Sequence, residues 1–440
     1  YPSPYAFNYI PADILGSVYE RFLGRVIRLT AGGSAKVDEK PEVRKAGGVY
    51  YTPTYIVEYI VKNTVGKLVE GKPPQEVGNF KIVDPACGSG SFLLGAYQYL
   101  LDWHLDWYAS QQPEKWVKKR TLVTADNKTY RLSLEEKKRI LLNNIHGVDL
   151  DPQAVEVTKL SLLLKVVEDP GQLKMFEEGR ILPDLSKNIR NGNALIGTDY
   201  FSGRMFADMD EMKRVKPFDW QNEFPEIFKR GGFDVVIGNP PYIDSEWLTR
   251  TDPNLREFCN TRYQSAKGNW DIFCIFVEKA ISLCKTGGYS SMIIPNKILA
   301  AGYASALRNF LVTHATLVSI KDFSEVPVFP VSVYPIVYVA KAKSLKSGNV
   351  KYEKVTSVIL NETEVNAQDI PWQSFVEIGG GSWSILSGGD AKDIIAKIQK
   401  DSTKLEELSD VLGAATVSEA YQLAELIEEY SSSRDGGYFK

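Results

Sequence analysis

From residue 80 onward, short β-branched runs alternate with longer stretches of helical period, and this alternation limits the fold more than any other feature. Candidate strands are 81–86 (KIVDPA), 145–150 (IHGVDL), 233–238 (FDVVIG), 289–295 (YSSMIIP), 315–323 (ATLVSIKDF) and 333–342 (VYPIVYVAKA). Helical patterns lie between most of them: GSFLLGAYQYLLDWHLDWY, DPQAVEVTKLSLLLKVV and WDIFCIFVEKAISLC. Successive βα units whose strands end in Gly, Asp or Pro predict an α/β fold built on a doubly wound, mostly parallel sheet. The last two candidate strands are joined by a link too short for a helix, which predicts an antiparallel hairpin at the sheet edge.

Residues 1–78 read as an N-terminal helical region. Within 13–27, Ile14, Leu15, Val18, Phe22 and Val26 fall at helical spacing behind Asp13 as N-cap. The polar, glycine-rich stretch 31–48 reads as an exposed loop. A second helix opens in YTPTYIVEYIVKNTVGKLV, with Thr52 as cap and Pro53 in the first turn. The catalytic-type α/β domain is expected over 79–345, with 107–141 as a charged, aromatic insertion. Residues 346–404 read as an irregular connector. The tail, 405–440, holds one helical pattern (SEAYQLAELIEEY) and is too short to form a core alone.

Composition excludes classes rather than choosing one. The longest apolar runs, such as YPIVYVA at 334–340, fall short of a bilayer span, and no basic-then-apolar leader precedes them. With Tyr at residue 1, the chain reads as part of a longer cytoplasmic protein with no membrane contact. Four cysteines (Cys87, Cys259, Cys274, Cys284) form no C-x-x-C pair, and three histidines lie far apart, so no metal site and no disulfide framework is predicted. A balance of 52 basic against 55 acidic residues argues only weakly against nucleic-acid binding, because a basic face can coexist with a neutral total.

Four motifs carry chemistry. VDPACGSGSF (83–92) is a strand, a glycine-rich turn and a helix start, where Gly88 and Gly90 let a ligand approach the backbone. Position 93 is Leu93, so the dinucleotide fingerprint is incomplete, and the Gly-Lys-Ser/Thr of a P-loop is missing. The turn therefore suits a nucleoside-like ligand without a phosphate chain. HGVDLDPQAV (146–155) offers Asp149 to ribose hydroxyls and Asp151 as cap of the next helix. Asn193, in NGNALIG, suits an adenine edge, although taken alone it reads more readily as loop chemistry.

The fourth motif is NPPY, Asn239 to Tyr242. Two prolines stiffen the backbone, so the Asn239 amide and the Pro240 carbonyl hold fixed directions. An exocyclic amine on a base is a poor nucleophile because its lone pair is delocalised into the ring. Two acceptors aimed at its hydrogens localise that pair, while Tyr242 offers a stacking face.

Together these residues resemble the class I, S-adenosylmethionine-dependent N6-adenine DNA methyltransferases of the gamma arrangement. The matching motifs are YYTP at 50–53, DPACGSG at 84–90 and NPPY at 239–242, with similarity over most of 13–343. The chain looks like the methylase portion of type IIG restriction-modification enzymes. The resemblance implies a seven-stranded sheet and a further set of roles. Catalysis falls to Asn239, Pro240 and Tyr242. Thr52 takes the cofactor's methionine carboxylate, and Asp84, Ala86, Gly88 and Gly90 lie beside its methionyl end. Asp149 holds the ribose, Asn193 receives the adenine amine through its side-chain oxygen, and Pro241 and Phe276 complete the pocket. Phe329 is expected to sandwich a flipped adenine against Tyr242, with Phe323 near enough to compete.

The resemblance further implies a monomer acting on double-stranded DNA. Nuclease and target-recognition domains are expected elsewhere in the full protein, with 405–440 opening the latter, so DNA binding by these residues alone is expected to be weak. NPPY alone also permits methylation of a protein glutamine or an RNA guanine, while cytosine-N4 enzymes more often begin the motif with Ser; YYTP and the Asp-Pro of DPACGSG favour DNA adenine. A non-catalytic module binding the cofactor or DNA is the rival from another class.

Overall fold

The computed structural model describes residues 25–29, 35–39, 52–124, 129–168, 182–202, 209–243, 245–329, 333–344 and 348–387. The helical pattern at 13–24 and the tail 405–440 lie outside them. The first strands are β1 (Arg25–Leu29), β2 (Ala35–Glu39), β3 (Ile82–Asp84), β4 (Leu122–Thr124), β5 (Tyr130–Leu132), β6 (Ile145–Asp149) and β7 (Ile189–Asn191). They are followed by β8 (Phe233–Gly238), β9 (Cys284–Pro295), β10 (Ala315–Asp322), β11 (Pro335–Ala342), β12 (Asn349–Ile359) and β13 (Glu362–Pro371). The helices that matter for the site are α1 (Thr54–Val61), α2 (Ser91–Ser110), α3 (Leu134–Asn144) and α4 (Pro152–Val167). Beyond β8 come α5 (Ser245–Thr251), α6 (Pro253–Arg262), α7 (Ile272–Leu283) and α8 (Ser305–His314).

Among the described residues nine strands form the main sheet, in the order β13-β12-β10-β11-β9-β8-β3-β6-β7. The run from β9 to β7 is parallel throughout. Alternate residues feed opposite faces, as a pleated strand requires. Ile82, Val235, Ile237, Ile293 and Val337 join one apolar cluster, with α1 to α4 packed over it. Val83, Val236, Met292, Ile294 and Tyr338 join the other, beneath α7 and α8. Both faces are therefore covered, which is why β8 reads as an unbroken buried run.

Several sequence expectations need correction. The sheet has nine strands rather than seven, and β10–β11 is not its edge, because β12 pairs parallel to β10 and β13 closes beyond it. The stretch expected to be an irregular connector holds both of those strands. Val26 and Ile27 lie in β1, not in a helix, and β1 pairs antiparallel with β2, inside the stretch expected to be a loop. Thr52 does not cap α1. Pro53 occupies the N-cap position and no side chain caps it, so the Thr52 hydroxyl is committed elsewhere.

The β12–β13 hairpin turns through Leu360 and Asn361, whose φ values are 50° and 68°. Positive φ at both central positions matches the twist of a two-residue hairpin, but Asn-Gly is the usual solution. Leucine in this region costs about 1–2 kcal/mol.

A candidate active site at the carboxyl ends of the strands

Chain order reverses at β3, which has β6 on one side and β8 on the other. Ligand sites of open α/β sheets lie at such a switch point, beyond the carboxyl ends of the strands. A cavity of about 560 Å³ sits there. Its lining includes Thr52, Asp84, Ala86, Gly88, Asp149, Asn193, Asn239, Pro241 and Phe276, six chain segments brought together from positions 52 to 276.

The glycine-rich turn is built by hydrogen bonds in sequence. Asp84 Oδ1 accepts from Ala86 N at 2.9 Å, and Cys87 N donates to the Val148 carbonyl of β6 at 3.0 Å. Gly88, at φ 53°, donates its N–H to Asp149 Oδ2 at 2.8 Å, and its carbonyl accepts from Thr158 Oγ1 at 2.8 Å. Gly90 has a different task from the one expected. It does not line the cavity. At φ 89° it starts α2, and a Cβ there would stand 2.9 Å from Thr158 Cγ2. Its missing side chain lets α2 pack on α4.

Asp149 also accepts from Asp151 N at 2.8 Å through Oδ1, while Asp151 caps α4 through Gln153 N at 2.9 Å. Burial pushes the Asp149 carboxyl up to about 6, against the pull of those two backbone N–H groups, and the charge of Asp151 adds to the rise. Asp84 is 1 % exposed and is raised well above the carboxylate range by burial, with the Asp149 charge adding to the effect. Two carboxylates thus face one cavity at an energetic cost that a cationic, hydroxyl-bearing ligand would relieve.

Asn193 lines the cavity, but its Oδ1 accepts from Leu195 N at 3.1 Å and its N–H donates to the Lys216 carbonyl at 2.8 Å. The loop role is therefore present, and only the oxygen's second lone pair is left for an adenine amine. Phe276, on α7, lines the cavity. Sequence reasoning missed Ile243, Trp247, Leu248 and Leu255, which line it from the segment after NPPY. Asp252, capping α6 through Leu255 N at 3.1 Å, was the available signal for a helix there. Lys216 was also missed; its Nζ donates to the Leu150 carbonyl at 3.0 Å, and its charge lowers the Asp149 carboxyl.

Asn239 follows β8 directly. Its Nδ2 donates to Thr52 Oγ1 at 3.1 Å, joining residues 187 positions apart. This bond turns Nδ2 to Thr52 and sets Oδ1 at the opposite end of the amide. Gly238 makes the approach possible: a Cβ there would lie 2.5 Å from Asp84 Oδ1. Pro241, not Pro240, contributes its ring to the cavity wall. Tyr242 donates its hydroxyl to the Ile293 carbonyl at 3.0 Å, which anchors the far end of the motif.

The aromatic sandwich differs from expectation. Phe329 is 4 % exposed and meets Tyr242 edge-on, with centroids 6.4 Å apart and planes at 72°. Two facing rings with a gap for a base would lie nearly parallel, so in this geometry Phe329 buttresses Tyr242 instead of opposing it. Phe323 is turned towards Tyr55, at 6.3 Å. Among the described residues no helix is long and apolar enough to cross a membrane.

The type II restriction enzyme and methyltransferase RM.Eco57I of Escherichia coli is 33% identical over 327 residues, covering 74% of this chain and 31% of that protein. The adenine-specific methyltransferase PglX of Streptomyces coelicolor is 26% identical over 259 residues, covering 58% of this chain and 19% of that protein. The type II methyltransferase M.BstVI of Geobacillus stearothermophilus is 25% identical over 356 residues, covering 79% and 52%. The chain thus spans no more than about half the length of these relatives. The solved structure of the type IIL restriction-modification enzyme MmeI in complex with DNA superposes with a TM-score of 0.50 at 16% identity, over 82% of this chain and 43% of that one, which speaks for the fold alone. Residues 143–329 match the family model described as Eco57I restriction-modification methylase.

Proposed function

We propose that this chain transfers a methyl group from S-adenosylmethionine to N6 of an adenine in DNA, as the modification part of a restriction-modification enzyme. The observation that carries the reading is the Thr52–Asn239 hydrogen bond beside the Asp84 and Asp149 carboxylates. It orients an amide at the rim of a cavity whose acids suit a cation bearing ribose hydroxyls. The relatives' printed descriptions, adenine-specific for one of them, point the same way.

The residues fit the cofactor. Asp149 would accept from the ribose hydroxyls, and Asp84 would face the methionyl ammonium. Thr52 Oγ1 is shared between Asn239 and the methionyl carboxylate, while Phe276 covers the adenine. When bound, S-adenosylmethionine supplies an electrophilic methyl group on a sulfonium sulfur. Asn239 Oδ1 and the Pro240 carbonyl accept the two N6 hydrogens of the target base and so localise its lone pair. Prolines 240 and 241 hold those acceptors still, so alignment costs little when the base arrives. Tyr242, pinned through Ile293, stacks on the base after it leaves the duplex, which costs a few kcal/mol.

Transfer of labelled methyl groups, measured separately on unmethylated plasmid DNA, RNA and protein, tests this reading. Label is expected on DNA, recovered as N6-methyladenine. Label on RNA or protein alone, or cofactor binding without turnover, would overturn it.

A further inference from the structure

The β12–β13 hairpin has features that neither the fold nor the cavity requires. Ile359 and Leu360 at its tip are 60% and 94% exposed. Register places that tip. Gly238 of β8 stands opposite Met292 of β9, Ile294 opposite Ile336, Ile336 opposite Asp322, and Asp322 opposite Lys354. Lys354 is therefore level with the residues just after Gly238, which begin NPPY. Residues 355–359 carry β12 five positions further, roughly 17 Å beyond the level of the catalytic motif. The hairpin stands four strands from β8, on the order of 19 Å to its side.

The projection is braced rather than loose. Glu353 accepts from Tyr59 Oη at 2.8 Å, Lys321 Nζ donates to Thr363 Oγ1 at 2.6 Å, and Ser357 donates to Glu364 at 2.6 Å. Val358 and Val365 pack against the apolar cluster on that face of the sheet.

We propose that Ile359 and Leu360 are an apolar wedge that enters the base stack of a DNA duplex lying across the carboxyl edge of the sheet. The proposal rests on the DNA reading above. A two-stranded ribbon fits a DNA groove, and Leu and Ile are side chains that pry base steps apart. Glu362 and Glu364 flank the tip and are exposed, so it is unsuited to gripping phosphates. Its contact is with bases, and its contribution is apolar area rather than charge. Leu360 stands in the left-handed region, at φ 50°, at a backbone cost that the contact of its side chain with the bases offsets.

The backbone supplies a clean test in the full-length protein. Leu360→Gly removes the wedge while giving the turn a residue that prefers its φ, so folding is preserved or improved. Methylation of unmethylated plasmid DNA is expected to show KM for DNA raised about tenfold, the worth of one buried apolar side chain. KM for S-adenosylmethionine and the salt dependence of DNA binding stay unchanged, and Tm does not fall. Ile359→Ser gives the same pattern more weakly. An unchanged KM for DNA overturns the proposal. So does a lowered Tm at constant KM, which would mean that the tip is buried against another part of the protein. Absence of DNA methylation by the unaltered protein would instead reject the reading on which the proposal rests.

Discussion

Replacing Asp149 with Asn sets stability against ligand affinity in a way that the structure makes quantitative. The carboxyl stands at about 6, above its ordinary 3.8, chiefly because of burial. A carboxylate raised in the folded state contributes stability that is fully present below about 3.8 and is lost as pH rises through 6. At pH 7.5 folding therefore carries a penalty of about 3 kcal/mol, from roughly two pH units at 1.36 kcal/mol each. Asn removes the charge but keeps only one acceptor for the two N–H groups of Gly88 and Asp151, which returns about 1–2 kcal/mol. The net expectation for Asp149→Asn is a gain of about 1–2 kcal/mol at pH 7.5, a Tm rise of at least about 2 °C, fading towards pH 4. Calorimetry with S-adenosylmethionine should show the opposite sign: affinity falls about 10- to 100-fold at pH 7.5, as charged hydrogen bonds to the ribose are lost. In the wild type only about one carboxyl in eleven is ionised at pH 5, so affinity falls about tenfold between pH 7.5 and 5. The variant lacks that component. Equal affinities for the two proteins, or the same pH slope in both, would refute the assignment of Asp149 to the ribose.

Other outcomes follow from the same geometry. Thr52→Val removes the acceptor that orients the Asn239 amide, and kcat should drop about tenfold, with DNA binding unchanged in a mobility-shift assay. Gly238→Ala forces a Cβ to within 2.5 Å of the buried Asp84 carboxylate. Denaturant unfolding should report a loss of about 1–3 kcal/mol, and calorimetry a loss of cofactor binding. Arg308, 2 % exposed, donates to the carbonyls of Ile298, Ala301 and Gly380. Arg308→Met should cost about 3 kcal/mol or more, because three acceptors are left buried without donors.

The parallel part of the sheet was legible because its strands are buried on both faces and end in recognisable turns. The runs at 81–86, 145–150 and 233–238 all appear as strands, and so does the end of a third βα unit just before Asn193. The β12–β13 hairpin was not legible for the opposite reason. ETEVNAQDIP is mostly exposed, and in NVKYEKVTSVI the buried alternation Val350, Tyr352 is broken by buried Glu353 before Val355, so the apolar period is too short to read. Their turn, Leu360–Asn361, also lacks the glycine that marks a two-residue hairpin. Thr52 misled for a local reason: Thr-Pro is a good helix start, and nothing nearby in sequence shows that its hydroxyl is claimed by Asn239. The motif residues of the cavity could be named from their chemistry. The apolar wall at 243–255 could not, because a side chain that merely closes a pocket looks like any core residue.

The central claim is that the Asn239 amide activates the target amine. It is tested most directly by single-turnover methylation with Asn239→Ala, with cofactor affinity measured on the same sample. The account predicts near-normal S-adenosylmethionine binding and a chemical step slowed at least about 100-fold, in the range of a lost transition-state hydrogen-bond partner. Methyl transfer at close to the unaltered rate would contradict it.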